Sequence, residues 1–108
     1  MPRYLIQFDG SPQTILGLVQ NPNNRAEALG PMWEAAGGKL EQYYFEVGGT
    51  TGYLVVEMPD QESMAAVNFA IYASGALTSM KVSAIMTSGE AVDVFKKAAD
   101  VVYQPPSA

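Results

Sequence analysis

Gln7, Tyr44, Tyr53 and Lys81 are the side chains of this 108-residue sequence whose types and positions could serve a ligand. The chain has neither cysteine nor histidine, which narrows the chemistry sharply. No thiolate nucleophile, disulfide framework or zinc–cysteine site can be built. The commonest general base, haem ligand and transition-metal ligand is missing as well. Acid–base work would fall to Asp, Glu, Lys or Tyr. A lysine partly withdrawn from water has a lowered pKa and becomes reactive, so Lys81 could hold an anionic or carbonyl group while Tyr53 donates a hydrogen bond. The commoner alternative is structural: Lys81 pairs with Glu57 or Glu46 on a neighbouring strand. No catalytic residue is assigned, and no cofactor or metal is expected.

Other residue types point to packing. Trp33, the only tryptophan, could wall a ligand pocket, although a lone tryptophan on a helical stripe is more often a core or interface anchor. The six methionines are spread along the chain and suit core filling. Glu41 and Glu46, five residues apart on one strand, should lie on opposite faces and form no carboxylate pair. Gly48-Gly49 lacks the lysine and the following helix of a phosphate-cradling loop.

The elements that must position these residues follow from periodicity. Tyr4, Ile6 and Phe8 alternate with Arg3, Leu5 and Gln7 in a first strand that ends at Asp9-Gly10. Ser11-Pro12 starts a helix carrying Ile15, Leu16 and Val19, which breaks at Asn21-Pro22-Asn23-Asn24. A second helix over 24–36 carries Ala28, Leu29, Met32, Trp33 and Ala36, with a kink or restart expected at Gly30-Pro31. Strands over 39–47 and 51–58 form a hairpin across Gly48 to Thr51. Asp60 caps a helix with Met64, Val67 and Ile71 that stops near Ser74-Gly75. Residues 77–86 alternate again, and Thr87 with Glu90 forms the capping box of a last helix through Ala91, Val94, Phe95, Ala98 and Val102.

The order predicts an α+β, ferredoxin-like domain over residues 1–103. It is a β-α-β-β-α-β antiparallel sheet with the first helical segment split in two, plus a C-terminal helix packed at the sheet edge. Residues 104–108, with two prolines, read as a flexible tail. Helices should cover Ile6, Phe8, Leu54, Val56, Met80 and Val82. The other face should carry Leu5, Gln7, Tyr44, Glu46, Tyr53, Val55, Glu57, Lys81, Ser83 and Ile85.

Bulk properties exclude several classes of partner. Hydrophobic residues make up 48% of the chain, enough for one packed core. The longest apolar runs, such as 53–56, fall far short of the ~20 residues that span a bilayer. The opening Met1-Pro2-Arg3-Tyr4 has no signal-peptide character, so a cytoplasmic location is expected. Net charge is −5 and only Lys96-Lys97 are adjacent basic residues, which predicts binding to neither nucleic acid nor anionic membrane.

A series of short segments also resembles a known family. Pro2-Arg3-Tyr4-Leu5-Ile6 is followed by Asn23-Asn24-Arg25-Ala26-Glu27-Ala28, then Ala35-Ala36-Gly37-Gly38-Lys39-Leu40-Glu41 and Tyr43-Tyr44-Phe45. Val55-Val56-Glu57-Met58-Pro59-Asp60, Ala73-Ser74-Gly75-Ala76, Lys81 and Met86-Thr87 complete it. Over nearly the whole chain this is similar to GYD-domain proteins. The resemblance implies a small prokaryotic protein of ferredoxin-like fold without an established activity. The family's Gly-x-Tyr-Asp turn is degenerate here, since Gly48-Gly49-Thr50-Thr51 keeps only the glycine.

A sheet covered on one face leaves the other for a partner, so a homo-oligomer through the open sheet face is expected. The principal expectation is a homo-oligomeric small-molecule-binding or accessory module, with Gln7, Tyr44, Tyr53, Lys81 and Trp33 as candidate ligand contacts. The alternative is a cofactor-free dimeric α/β-barrel enzyme, an isomerase, cyclase or monooxygenase acting on a small apolar substrate.

Overall fold

A computed structural model describes residues 1–107. In chain order it contains β1 (Arg3–Gly10), α1 (Pro12–Gln20), α2 (Arg25–Ala35), β2 (Lys39–Phe45), β3 (Thr51–Glu57), α3 (Gln61–Ala73), β4 (Leu77–Ile85) and α4 (Ser88–Ala98). Each helix starts where a side-chain oxygen can accept from an otherwise unpaired first-turn N–H. Ser11 accepts from Thr14 N with Pro12 in the first turn, Asn24 accepts from Ala26 N and Glu27 N, and Asp60 accepts from Ser63 N. Thr87 and Glu90 form the expected reciprocal box. The anticipated restart at Gly30-Pro31 is absent: α2 runs unbroken through Pro31.

The four strands form one antiparallel sheet in the order β2-β3-β1-β4. Alternation sorts its residues as predicted. Tyr4, Ile6, Phe8, Leu54 and Val56 are buried beneath the helices, with Met80 and Val82 packed against them. Each fully buried aliphatic side chain contributes about 1.5–3 kcal/mol. Trp33 from α2 and Met64 and Val67 from α3 close the core from above. In α1, Leu16 and Val19 are exposed, and Ile15 and Leu18 are the residues turned toward the sheet. Gly52 pairs with Phe8, and a β-carbon there would overlap the Phe8 ring.

Two expectations are corrected. A register shift between Leu40 and Gln42 inserts Glu41 into β2 as a bulge. The alternation resets there, so Leu40 faces the core but Tyr43 and Phe45, not even-numbered residues, follow it inward. Glu41 and Glu46 therefore share the open face, Glu41 accepting from Arg3 and Glu46 from Tyr53. The last helix is the second correction. It ends at Ala98 rather than reaching Val102, and it does not pack along the sheet edge: Val92, Val94 and Phe95 remain exposed. Residues 101–107 follow without regular secondary structure, and Ala108, the end of the expected tail, lies outside the described residues.

Candidate functional site

Strand register brings four of the five candidate residues into a single row. Tyr44 pairs with Tyr53, Tyr53 with Gln7, and Gln7 with Lys81, across all four strands of the open face. With strands ~4.8 Å apart, the row is about 14 Å long. Directly paired residues share a face, so alternation in each strand is enough to assemble it.

The row is a surface rather than a cavity. Tyr44 is 57% exposed, Gln7 and Lys81 are exposed, and neither Tyr53 nor Lys81 lines the apolar pocket beneath the helices or the groove between α3 and β4. The Tyr53 hydroxyl donates to Glu46 Oε2 at 2.9 Å, and that hydrogen bond pushes its pKa up. Glu57 is engaged elsewhere, accepting from Arg3 Nη2 at 2.9 Å, while Glu41 accepts from Arg3 Nε at 2.7 Å. Both carboxylates expected as structural partners of Lys81 are thus occupied, and no ion pair to Lys81 occurs among the described residues.

Rows on either side have their own polar logic. Asp9 accepts from Thr51 Oγ1 at 2.6 Å and Ser79 Oγ at 2.8 Å, and these two hydrogen bonds hold its carboxyl below the usual range. Gln42, Val55, Leu5 and Ser83 form the row on the other side, more apolar at its centre. Beyond it, Arg3 gathers Glu41, Glu57 and, at 3.5 Å, Glu90. The Glu41 hydrogen bond is the main reason its guanidinium is held still more firmly protonated.

Trp33 is not part of this row. It lies beneath the helices, fully buried, in the wall of an apolar pocket of about 300 Å³ between α1, α2, α3 and the sheet. Phe8, Leu29, Tyr43 and Met80 supply much of the lining, and the polar contributions come from Thr14, Ser74, Arg25 and Tyr43. Two of the polar groups have unmet potential. Trp33 Nε1 is buried without a hydrogen-bond partner among the described residues, a rare condition for an indole N–H. Arg25 has no carboxylate partner among the described residues. Burial pushes the Tyr43 hydroxyl above the usual phenol range, and the adjacent Arg25 charge opposes that rise. The phenol is therefore a neutral donor at physiological pH.

Arg25 and Tyr43 escape a reading by alternation and helical stripe. The β2 bulge turns Tyr43 inward, and Arg25 is a charged residue in the first turn of α2, where only its place after the Asn24 cap hints that it lies at the base of the helix. Among the described residues, no group of three acidic, cysteine or histidine side chains is arranged to hold a metal ion. No helix among them is long and apolar enough to cross a membrane.

Two comparisons with known proteins complete the description. The GYD domain family model matches residues 4–94. No curated protein matches the chain.

Proposed function

The chain belongs to the GYD domain family, and from that premise we propose that it is a homo-oligomeric module binding an apolar small molecule with an acidic or carbonyl head. The observation that carries this reading is the pocket beneath the helices: an apolar lining at whose wall Arg25 lacks a carboxylate among the described residues. A pocket of about 300 Å³ is at the lower end of small-molecule sites, which combine apolar walls with a few convergent polar groups. An apolar body would replace the contacts a void forfeits. A carboxylate or carbonyl oxygen would accept from the guanidinium as a charge-assisted bond.

The element order and the β2-β3-β1-β4 sheet support reading the domain as ferredoxin-like, with its open face turned to a second copy as in a dimeric α/β barrel. Leu5, Val55 and Ile85 would form the apolar part of that interface. The Tyr44–Tyr53–Gln7–Lys81 row would supply its polar contacts or line a shallow site between subunits. A cytoplasmic setting belongs to the same proposal and suits a chain without cysteine.

Trp33 is the only tryptophan, so its fluorescence reports pocket occupancy directly. Titration with aliphatic and aromatic carboxylic acids should shift its emission, with the acids binding more tightly than their methyl esters. Arg25→Met should remove that preference, costing about tenfold or more for the acids alone. Emission unchanged by any of these compounds at millimolar concentration would defeat the pocket reading.

A further inference from the structure

The pocket beneath the helices has two ends of different chemistry, at opposite edges of the sheet. At the β2 end, Arg25 lies beside the Tyr43 hydroxyl, and Tyr43 lies beside Phe45. At the β4 end, the lining is aliphatic, with Ile71, Leu77 and Met80, and its polar groups are Thr14 and Ser74.

Both hydroxyls at the β4 end are already engaged. Thr14 Oγ1 donates to Ala76 O at 2.8 Å and accepts from Ser11 Oγ at 2.9 Å. Ser74 Oγ donates to Ile71 O and accepts from Ala76 N at 3.2 Å. A hydroxyl carries one proton, so neither has a donor left for a ligand. None of the residues lining the pocket is acidic. A carboxylate at this end would be buried without a donor, and an ammonium would find no carboxylate, both strongly unfavourable. Only the β2 end suits a charge. Arg25 is half-buried there and Phe45 is 49% exposed, so a charged head on the guanidinium keeps part of its hydration.

Three rings gather next to that guanidinium. Phe8 meets Tyr43 edge-on with centroids 5.8 Å apart and Phe45 at 6.4 Å, while Tyr43 and Phe45 are 5.2 Å apart. All three line the pocket, and ring–ring contacts favour an aromatic partner beyond the area it buries. An apolar cavity of about 150 Å³ takes up benzene. A pocket of about 300 Å³ therefore admits a body of about two rings.

We propose that the pocket takes an aromatic monocarboxylic acid of up to two rings. Its carboxylate lies on Arg25, its first ring lies against Phe8, Tyr43 and Phe45, and its far end carries no polar group. The inference rests on the pocket reading and goes beyond it by fixing the number of charged groups and the place of the ring.

The test is equilibrium dialysis of the full chain against three probes of one skeleton. They are naphthoic acid, its saturated decalin analogue, and a naphthalenedicarboxylic acid with its acids at opposite ends. Naphthoic acid should bind about tenfold more tightly than the decalin acid. It should bind about a hundredfold more tightly than the diacid. Phe45→Leu, at a half-exposed position, should keep the fold by circular dichroism and remove the preference for the aromatic acid. Its preference for naphthoic acid over the methyl ester should remain. A decalin acid that binds as tightly as naphthoic acid, or an aromatic preference that survives Phe45→Leu, would overturn the placement of the ring. A diacid that binds as tightly would overturn the single charged head. Either result leaves the pocket reading standing. No binding of any of the three at millimolar concentration would overturn the pocket reading and this proposal with it.

Discussion

Neighbouring residues of β1 meet two different environments. Ile6 and Phe8 lie under helices beside a pocket, while Leu5 and Gln7, one position away, lie on an open face crossed by paired polar rows. On the helix side, order comes from volume: side chains from three helices and four strands must fill one space, and what they leave unfilled becomes the pocket. On the open side, order comes from pairwise contacts such as Asp9 with Thr51 and Tyr53 with Glu46, each in reach of water. Substitutions should therefore cost more on the first face than on the second, and departures from that rule would reveal what covers the second.

The largest difference is expected between Trp33→Ala and Leu5→Ala. Trp33 is fully buried, so truncation should cost about 3–5 kcal/mol in urea unfolding followed by circular dichroism. Leu5 is only half-buried in the single chain, and its truncation there should cost under about 1 kcal/mol. A Leu5→Ala cost that approaches the Trp33→Ala value and grows with protein concentration would mean that the open face is sealed by another copy.

The two faces also differ in how far they can be read from sequence. The open row of Tyr44, Tyr53, Gln7 and Lys81 is legible because alternation has period two and directly paired residues share a face. The pocket is not legible, because a void depends on how three helices settle over a sheet. Trp33 is recognisable as an anchor from its helical stripe, but Arg25 and Tyr43 are hidden from the same reasoning. A single inserted residue, Glu41, shifts the phase of β2, and nothing in the local pattern Leu40-Glu41-Gln42-Tyr43 announces it. That insertion also explains why Glu41 and Glu46, assigned to opposite faces by counting, share one. The position of α4 is illegible for a related reason: an amphipathic stripe demands a partner surface but does not say whose.

A smaller effect tests how tightly the helix side is packed. Gly52 lies directly beneath the Phe8 ring, so Gly52→Ala must displace that ring or the strand. The expected cost is about 1–3 kcal/mol, as for other additions to a filled core. Combined with Phe8→Leu, the alanine should cost less than it does alone, and the double-mutant cycle isolates the contact. A fully additive cycle would show that β3 moves instead of Phe8.

The smallest effect belongs to the open face and has a defined pH dependence. Hydrogen bonds from Thr51 and Ser79 lower the Asp9 pKa below its ordinary value of 3.8. A depressed carboxylate pKa means that the unfolded chain binds the proton more readily. The contribution of Asp9 is therefore complete above pH 3.8 and fades as the pH falls through the lower folded value. A carboxamide cannot ionise, so Asp9→Asn should lower the urea midpoint slightly at pH 7, with the gap closing in strong acid. Asp60 and Glu90, whose carboxyls are held low by the backbone amides of Ser63 and Thr87, titrate in both proteins and cancel from the difference. A gap that persists unchanged in acid would assign the effect of Asp9 to the shape of its side chain rather than to its charge. The open face would then be ordered by packing after all, as the helix side is.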